Sequence, residues 1–138
     1  MRLRLLPALL LAACDPHADL PLEGEALQQA IAHARLECRA LLAGLEAFRQ
    51  DFGRYPTGRE GLAILARNPD PPAYPTWHGP YGMVTEDILR DPWGRRYELH
   101  STGTEIAVVS WGRDRRPNTG DEVREAQPVD YYAPPQTP

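Results

Sequence analysis

Lysine is absent from the 138-residue chain, so all 15 basic residues are arginines. Catalysis through a lysine Schiff base and phosphate binding by a P-loop lysine are therefore excluded. Acidic residues number 19, and the formal net charge is −4. An acidic chain is a poor candidate for binding nucleic acid.

The chain also lacks a recognisable catalytic motif. Its histidines, Cys38 and Ser110 supply possible nucleophiles and bases, but neither G-x-S-x-G nor H-E-x-x-H occurs. No pair of histidines has the spacing of a zinc site. The sequence therefore predicts a protein that is not an enzyme and has no small-molecule substrate.

The longest N-terminal apolar run, Leu5–Ala13, is too short to span a bilayer. With Arg2 and Arg4 before it, the run has the pattern of an export signal, predicted here as residues 1–13. The sequence Leu11-Ala12-Ala13-Cys14 resembles a bacterial lipobox, in which cleavage precedes a cysteine that carries diacylglycerol. The alternative is an ordinary signal peptide with a chance cysteine.

If Cys14 is the lipidated first residue, residues 14–19 form a tether to the membrane. Loss of Arg2 and Arg4 takes the net charge to −6, and Cys38 remains as the single thiol, so no intrachain disulfide can form. Asp15 resembles an inner-membrane retention signal. The expected location is a membrane-anchored lipoprotein facing the periplasm.

A long amphipathic helix is predicted from about Leu20, with Pro21 near its start and Gly53 just past its end. Apolar residues recur at steps of three and four along one stripe of it. The stripe consists of Leu20, Leu27, Ile31, Ala34, Cys38, Leu41, Leu45, Phe48 and Phe52. It fits a coiled-coil seam or a face packed on a sheet, and its small and aromatic members favour the sheet. We interpret Cys38 as a core residue.

Three further elements follow the helix. Thr57 and Glu60 have capping-box spacing, which predicts a short helix over 58–66. The segments 97–100 and 105–109 flank Ser101-Thr102-Gly103-Thr104 and predict an antiparallel hairpin. The Pro-rich stretch 125–138 is predicted to be a disordered tail. The predicted fold class is α+β, with one domain over 20–124 in which a long N-terminal helix packs on a small antiparallel sheet.

Five motifs carry a family resemblance: Asp51–Thr57 (DFGRYPT), Glu60–Leu62 (EGL), Gly79–Tyr81 (GPY), Asp91–Tyr97 (DPWGRRY) and Ser110–Asp114 (SWGRD). In this order they resemble the periplasmic part of the major G-type pseudopilin of type II secretion systems. The resemblance implies a pseudopilin-like head and a structural or interaction role in protein secretion. It implies partners among other pseudopilins or type II secretion components. A stand-alone periplasmic binding lipoprotein that reuses the head is the alternative.

The chain departs from that family at its N-terminus. A pseudopilin is expected to have a glycine before a prepilin-peptidase cut and then about twenty apolar residues. Neither is found, and the predicted helix already has Gln28, Gln29 and His33 on its outer side. We therefore expect the lipid on Cys14 to replace the transmembrane helix as the membrane tether.

The resemblance also implies a calcium site in the loop after the hairpin. Carried over by position, Trp111 would supply its main-chain carbonyl and Asp114, Asp121 and Glu122 their side chains. Calcium prefers about six to eight oxygen ligands, which this loop could supply. The alternative is a loop in which Arg113, Arg115 and Arg116 neutralise these carboxylates.

Two tryptophans allow two interpretations. If Trp77 and Trp93 are exposed, they are candidate anchors for a partner, because aromatic side chains concentrate binding energy. If they are not, they cap the core.

Overall fold

The computed structural model describes residues 23–129. The predicted signal peptide, the tether with Cys14 and Asp15, the helix start at Leu20 and residues 130–138 of the predicted tail lie outside this range. Helix α1 covers Gly24–Phe52 and α2 covers Ala63–Ala66, followed by two short 3-10 turns. Strands β1 (Glu98–Ser101), β2 (Glu105–Ser110) and β3 (Val123–Pro128) form one antiparallel sheet with β2 in the centre. The α+β prediction is confirmed.

Helix α1 is held by the apolar stripe that the sequence predicts. Five of its members have no exposed surface: Ala34, Cys38, Leu41, Leu45 and Phe48. The helix packs on β2 and β3, so the coiled-coil alternative is wrong. The helix ends at Gly53, which adopts φ 69° and donates its N–H to the carbonyl of Arg49.

Cys38 is a core residue, as predicted. Burial raises the pKa of its thiol to about 12, because a thiolate in an apolar interior is poorly solvated. The neutral thiol fills space in the main core cluster and has no nucleophilic character near neutral pH.

The predicted hairpin forms, with its first strand shifted by one residue to Glu98–Ser101 and its second extended by one residue to Ser110. Its register pairs Glu98 with Val109 and Ser101 with Ile106. Thr102 closes the turn by donating its N–H to the carbonyl of Glu105. Five of the six residues of β2 are buried, which places this strand at the centre of the molecule.

The boundary of the predicted C-terminal tail at residue 125 is wrong. Residues 123–128 form β3, which pairs with the whole of β2 from Ser110 opposite Val123 to Glu105 opposite Pro128. Only Val123 of this strand is buried, and the other five residues are half-buried or exposed. An edge strand with so few buried side chains has no clear apolar alternation, so this strand could not be recognised from its own residues.

The predicted helix over 58–66 is shorter in the structure. Turns occupy the first part, and only Ala63–Ala66 are helical. Gly61 adopts φ 64°, a left-handed conformation that an α-helix cannot include. The capping-box contacts between Thr57 and Glu60 are present, but they close a turn.

Both tryptophans belong to the core, so the exposed-anchor interpretation is wrong. Trp93 is 7% exposed. Trp77 is half-buried, donates its indole N–H to the carbonyl of Ile64 at 2.8 Å and lies edge-on to Tyr81.

Within residues 23–129, the helices are either too short or too polar to cross a membrane.

Candidate functional site

Side-chain hydrogen bonds join the first three sequence motifs in one group and the last two in another. Tyr81 of the GPY motif donates its hydroxyl to Asp51 at 2.6 Å and accepts the N–H of His78. Its ring packs edge-on against Phe48 of α1. This contact fixes the C-terminal end of the helix against the loop that crosses it.

Glu60 of the EGL motif is the centre of a second network. Both of its oxygens accept from the guanidinium of Arg54 at 2.8 Å, and Tyr74 donates its hydroxyl at 2.7 Å. The backbone N–H of Thr57 donates at 2.6 Å. Because these donors stabilise the charged form, chiefly the Arg54 guanidinium, the pKa of Glu60 lies far below its usual range.

The Glu60 network makes the free energy of unfolding depend on pH. The pKa of Glu60 is lower in the folded chain than in the unfolded chain. The stabilisation by this carboxylate is therefore complete above about pH 5 and is lost as the pH falls. We expect the parent to lose about 2 kcal/mol more free energy of unfolding between pH 6 and pH 3 than Glu60→Gln does. Urea unfolding followed by circular dichroism at each pH measures this difference. Equal losses of free energy of unfolding in the two proteins would show that Glu60 does not cause this pH dependence.

A buried contact connects the DPWGRRY motif to the start of the acidic loop. Asp91 is 4% exposed, and one carboxylate oxygen accepts the N–H groups of Trp93 and Arg95. The other accepts the hydroxyl of Ser110 at 2.5 Å, and that hydroxyl accepts the N–H of Gly112. The three hydrogen bonds to this buried carboxylate therefore hold the two motifs together.

The acidic loop, defined as residues 110–122, returns tightly on itself at Gly112. This residue has φ 75°, and a Cβ added to it would overlap the carbonyl oxygen of Asp121. Only glycine permits the two ends of the loop to come this close.

The structure places the four predicted calcium ligands in different surroundings. The ring of Trp111 lies under the guanidinium of Arg95, 3.6 Å from its centroid. Asp114 accepts the backbone N–H of Arg116 at 2.9 Å, and this bond lowers its pKa. Asp121 faces Arg113, with 3.7 Å between carboxylate oxygen and Nε.

Both oxygens of Glu122 are used by the loop itself. They accept the backbone N–H groups of Thr119 at 2.9 Å and Gly120 at 2.8 Å. The bond from Thr119 is the main reason that the pKa of Glu122 is lowered. Its carboxylate therefore stays ionised and bound to the loop backbone at neutral pH.

These positions fit a calcium shell poorly. Among residues 23–129, no three histidine, cysteine, aspartate or glutamate side chains are grouped to hold a metal ion. Calcium needs several oxygens directed at one point, whereas the carboxylates of Asp114, Asp121 and Glu122 each have another partner. Calcium binding stays a prediction.

The end of the acidic loop is attached to α1 through a small apolar cluster. Val123 and Trp93 pack there with Ala30 and Ala34 of the helix. The loop is therefore held at its beginning by Asp91 and at its end by this cluster, and both attachments involve the DPWGRRY motif.

Sequence reasoning did not identify Asp91 or Glu122 as the residues that organise this region. For Asp91 a signal was available, because an aspartate that opens a turn often accepts the N–H of the residue two positions on. The contact of Asp91 with Ser110, 19 positions along the chain, had no local signal.

Comparison with known proteins gives the same family as the motifs. The family model for Type II secretion system (T2SS), protein G matches residues 23–127. Over 86 residues the chain is 36% identical to the Type II secretion system core protein G of Dickeya chrysanthemi, which covers 61% of this chain and 56% of that protein. The protein of the same name from Klebsiella michiganensis is 34% identical over 61% of this chain and 60% of its own length.

A solved structure has the same fold. The crystal structure of the major pseudopilin from the type 2 secretion system of enterohaemorrhagic Escherichia coli superposes with a TM-score of 0.56. The two sequences are 24% identical, and the match covers 78% of this chain and 93% of that one. The chain spans less than two thirds of the length of the curated relatives that it matches. Since the family match includes the helix, the sheet and all five motifs, the chain belongs to the protein G family of type II secretion systems.

Proposed function

We propose that this chain supports protein secretion as a pseudopilin-type component of a type II secretion system, by docking to other components and without catalysing a reaction. The observation that carries the proposal is the family match over residues 23–127. The fold supports it, because α1 packs on the sheet and the motif contacts hold the neighbouring loops in place. A docking protein requires such preorganised surfaces.

The proposed location is the periplasmic face of a membrane, with the lipid on Cys14 as the tether. The support comes from the sequence Leu11-Ala12-Ala13-Cys14 after a short apolar run. One acyl-modified residue with more than one lipid chain holds a protein stably at a membrane. Asp15 favours the inner membrane.

The role in secretion is tested by deleting the gene and comparing the extracellular proteome with that of the parent strain. We expect the amount of type II cargo outside the cell to decrease and cargo to accumulate in the periplasm. The wild-type gene is expected to restore secretion. If the extracellular proteome is unchanged, the proposal is wrong, and the stand-alone binding lipoprotein gains support.

The tether is tested separately by labelling cells with palmitate. The wild-type chain is expected to take up label and the Cys14→Ser variant is not. Absence of label from both proteins, or equal label in both, would end the lipid proposal and leave the secretion test unaffected.

A further inference from the structure

We infer that the acidic loop of this chain is closed by the chain's own donors and needs no divalent cation. The inference goes beyond the proposed function and does not depend on it. It concerns the positions Trp111, Asp114, Asp121 and Glu122, where the family resemblance implies calcium.

Glu122 already uses both of its carboxylate oxygens within the loop. Glu122 accepts one backbone N–H on each oxygen, from Thr119 and Gly120. Hydrogen bonds of this kind to an ionised carboxylate are about twice as strong as those between neutral groups. A cation at Glu122 would have to compete with both of them.

The charged side chains of the loop already balance one another. Residues 110–122 contain the arginines Arg113, Arg115 and Arg116 and the acids Asp114, Asp121 and Glu122, so the loop is neutral without an added ion. Adding a doubly charged cation would leave it with a charge of +2 beside three guanidinium groups. Repulsion between the cation and these guanidinium groups opposes binding of the cation.

Contacts within the loop hold two of its residues in a left-handed backbone conformation. Arg115 has φ 56° and Asn118 has φ 61°, which are uncommon for residues with a Cβ. A conformation of this kind persists where its surroundings determine it. Arg115 donates its N–H to the carbonyl of Gly112, and the hydroxyl of Thr119 donates to the carbonyl of Arg116. The closure therefore runs from Gly112 to Glu122 through contacts within the chain.

Cleavage by trypsin at arginines within the loop can report whether the loop is closed. Trypsin cleaves after arginine but not before proline, so Arg113 and Arg115 are cleavable and Arg116, followed by Pro117, is not. Cleavage at the first two sites requires the loop to open locally. Mass spectrometry of the full-length chain during brief digestion measures the rate at each site.

The decisive experiment is this digestion in calcium and in EGTA, for the parent, Glu122→Gln and the control Glu86→Gln, which changes an exposed glutamate outside the loop. We expect the parent to be cleaved at the same rate in both media. Glu122→Gln is expected to be cleaved about five- to tenfold faster in both, because one charged acceptor of two N–H groups is lost. The control is expected to behave as the parent.

The opposite outcome is equally clear. If calcium protects the parent several-fold relative to EGTA, and this protection vanishes in Glu122→Gln, the inference is wrong. Thermal unfolding gives an independent reading, since an ion present at about 100 times its Kd would raise the Tm by roughly 10 °C. We expect a shift of less than about 1 °C between the two media, within what a domain without a cation site shows.

Discussion

Replacing Gly112 with alanine is expected to destabilise the folded chain by about 3 kcal/mol or more. Two effects contribute. The residue has φ 75°, where a Cβ is disfavoured, and the added carbon would overlap the carbonyl oxygen of Asp121 and lie 2.6 Å from its carbonyl carbon. The atoms it meets are backbone, so the conflict can be relieved only by opening the loop.

The matched control lies in the same loop. Gly120 also has a positive φ, 91°, but an added Cβ there would meet no atom within 4 Å. Gly120→Ala should therefore cost only the backbone term, about 1 kcal/mol. Thermal unfolding followed by circular dichroism compares them, and we expect Gly112→Ala to lower the Tm by roughly 10 °C or more. Equal shifts for the two variants would contradict the close approach of Gly112 to Asp121.

Replacing Asp91 with alanine is expected to cost about 3 kcal/mol. The change leaves three donors without their acceptor: the N–H groups of Trp93 and Arg95 and the hydroxyl of Ser110. In a buried position these donors cannot all recover a hydrogen bond from water.

Asp91→Asn is the informative companion to this change. Its amide oxygen can still accept the N–H groups of Trp93 and Arg95, and Ser110 can rotate, so we expect a loss of about 1 kcal/mol. Asp87→Ala, at an exposed position, should stay within about 0.5 kcal/mol of the parent. Urea unfolding measures all three. If Asp91→Ala is as mild as the control, Asp91 does not join the two motifs.

The helix and the hairpin could be predicted from the sequence because their signals are local. The apolar stripe through Cys38 and Phe48 repeats at the helical period over many turns, and Gly53 supplies the expected end. In the hairpin, a short turn segment around Gly103 separates the alternating segment 97–100 from the apolar run 106–109. Each of these patterns depends on residues that are close in the chain.

The remaining fold could not be predicted because its causes are distant in sequence or leave no clear local pattern. Strand β3 is an edge strand that forms through pairing with β2, and its own side chains are mostly half-exposed. Helix α2 is short because Gly61 adopts a left-handed conformation. Glycine permits this conformation, but its presence in the sequence does not show that it adopts it.

The contacts within the acidic loop also could not be predicted from the sequence. The sequence contains three acids and three arginines between Ser110 and Glu122, and composition alone cannot decide which oxygens meet a cation. The contacts of Glu122 with backbone N–H groups depend on the path of the loop. That path is set by Gly112 and by Asp91, which lies outside the loop.

We propose that this head works by contact with other proteins of a type II secretion system. The most direct test is photo-crosslinking in living cells, with a photoreactive amino acid at Leu36 or Met83, the large apolar side chains most exposed to solvent in residues 23–129. We expect mass spectrometry to identify a type II secretion component in the adducts. Adducts from both positions that contain only proteins outside that system, formed by a correctly folded chain, would contradict it.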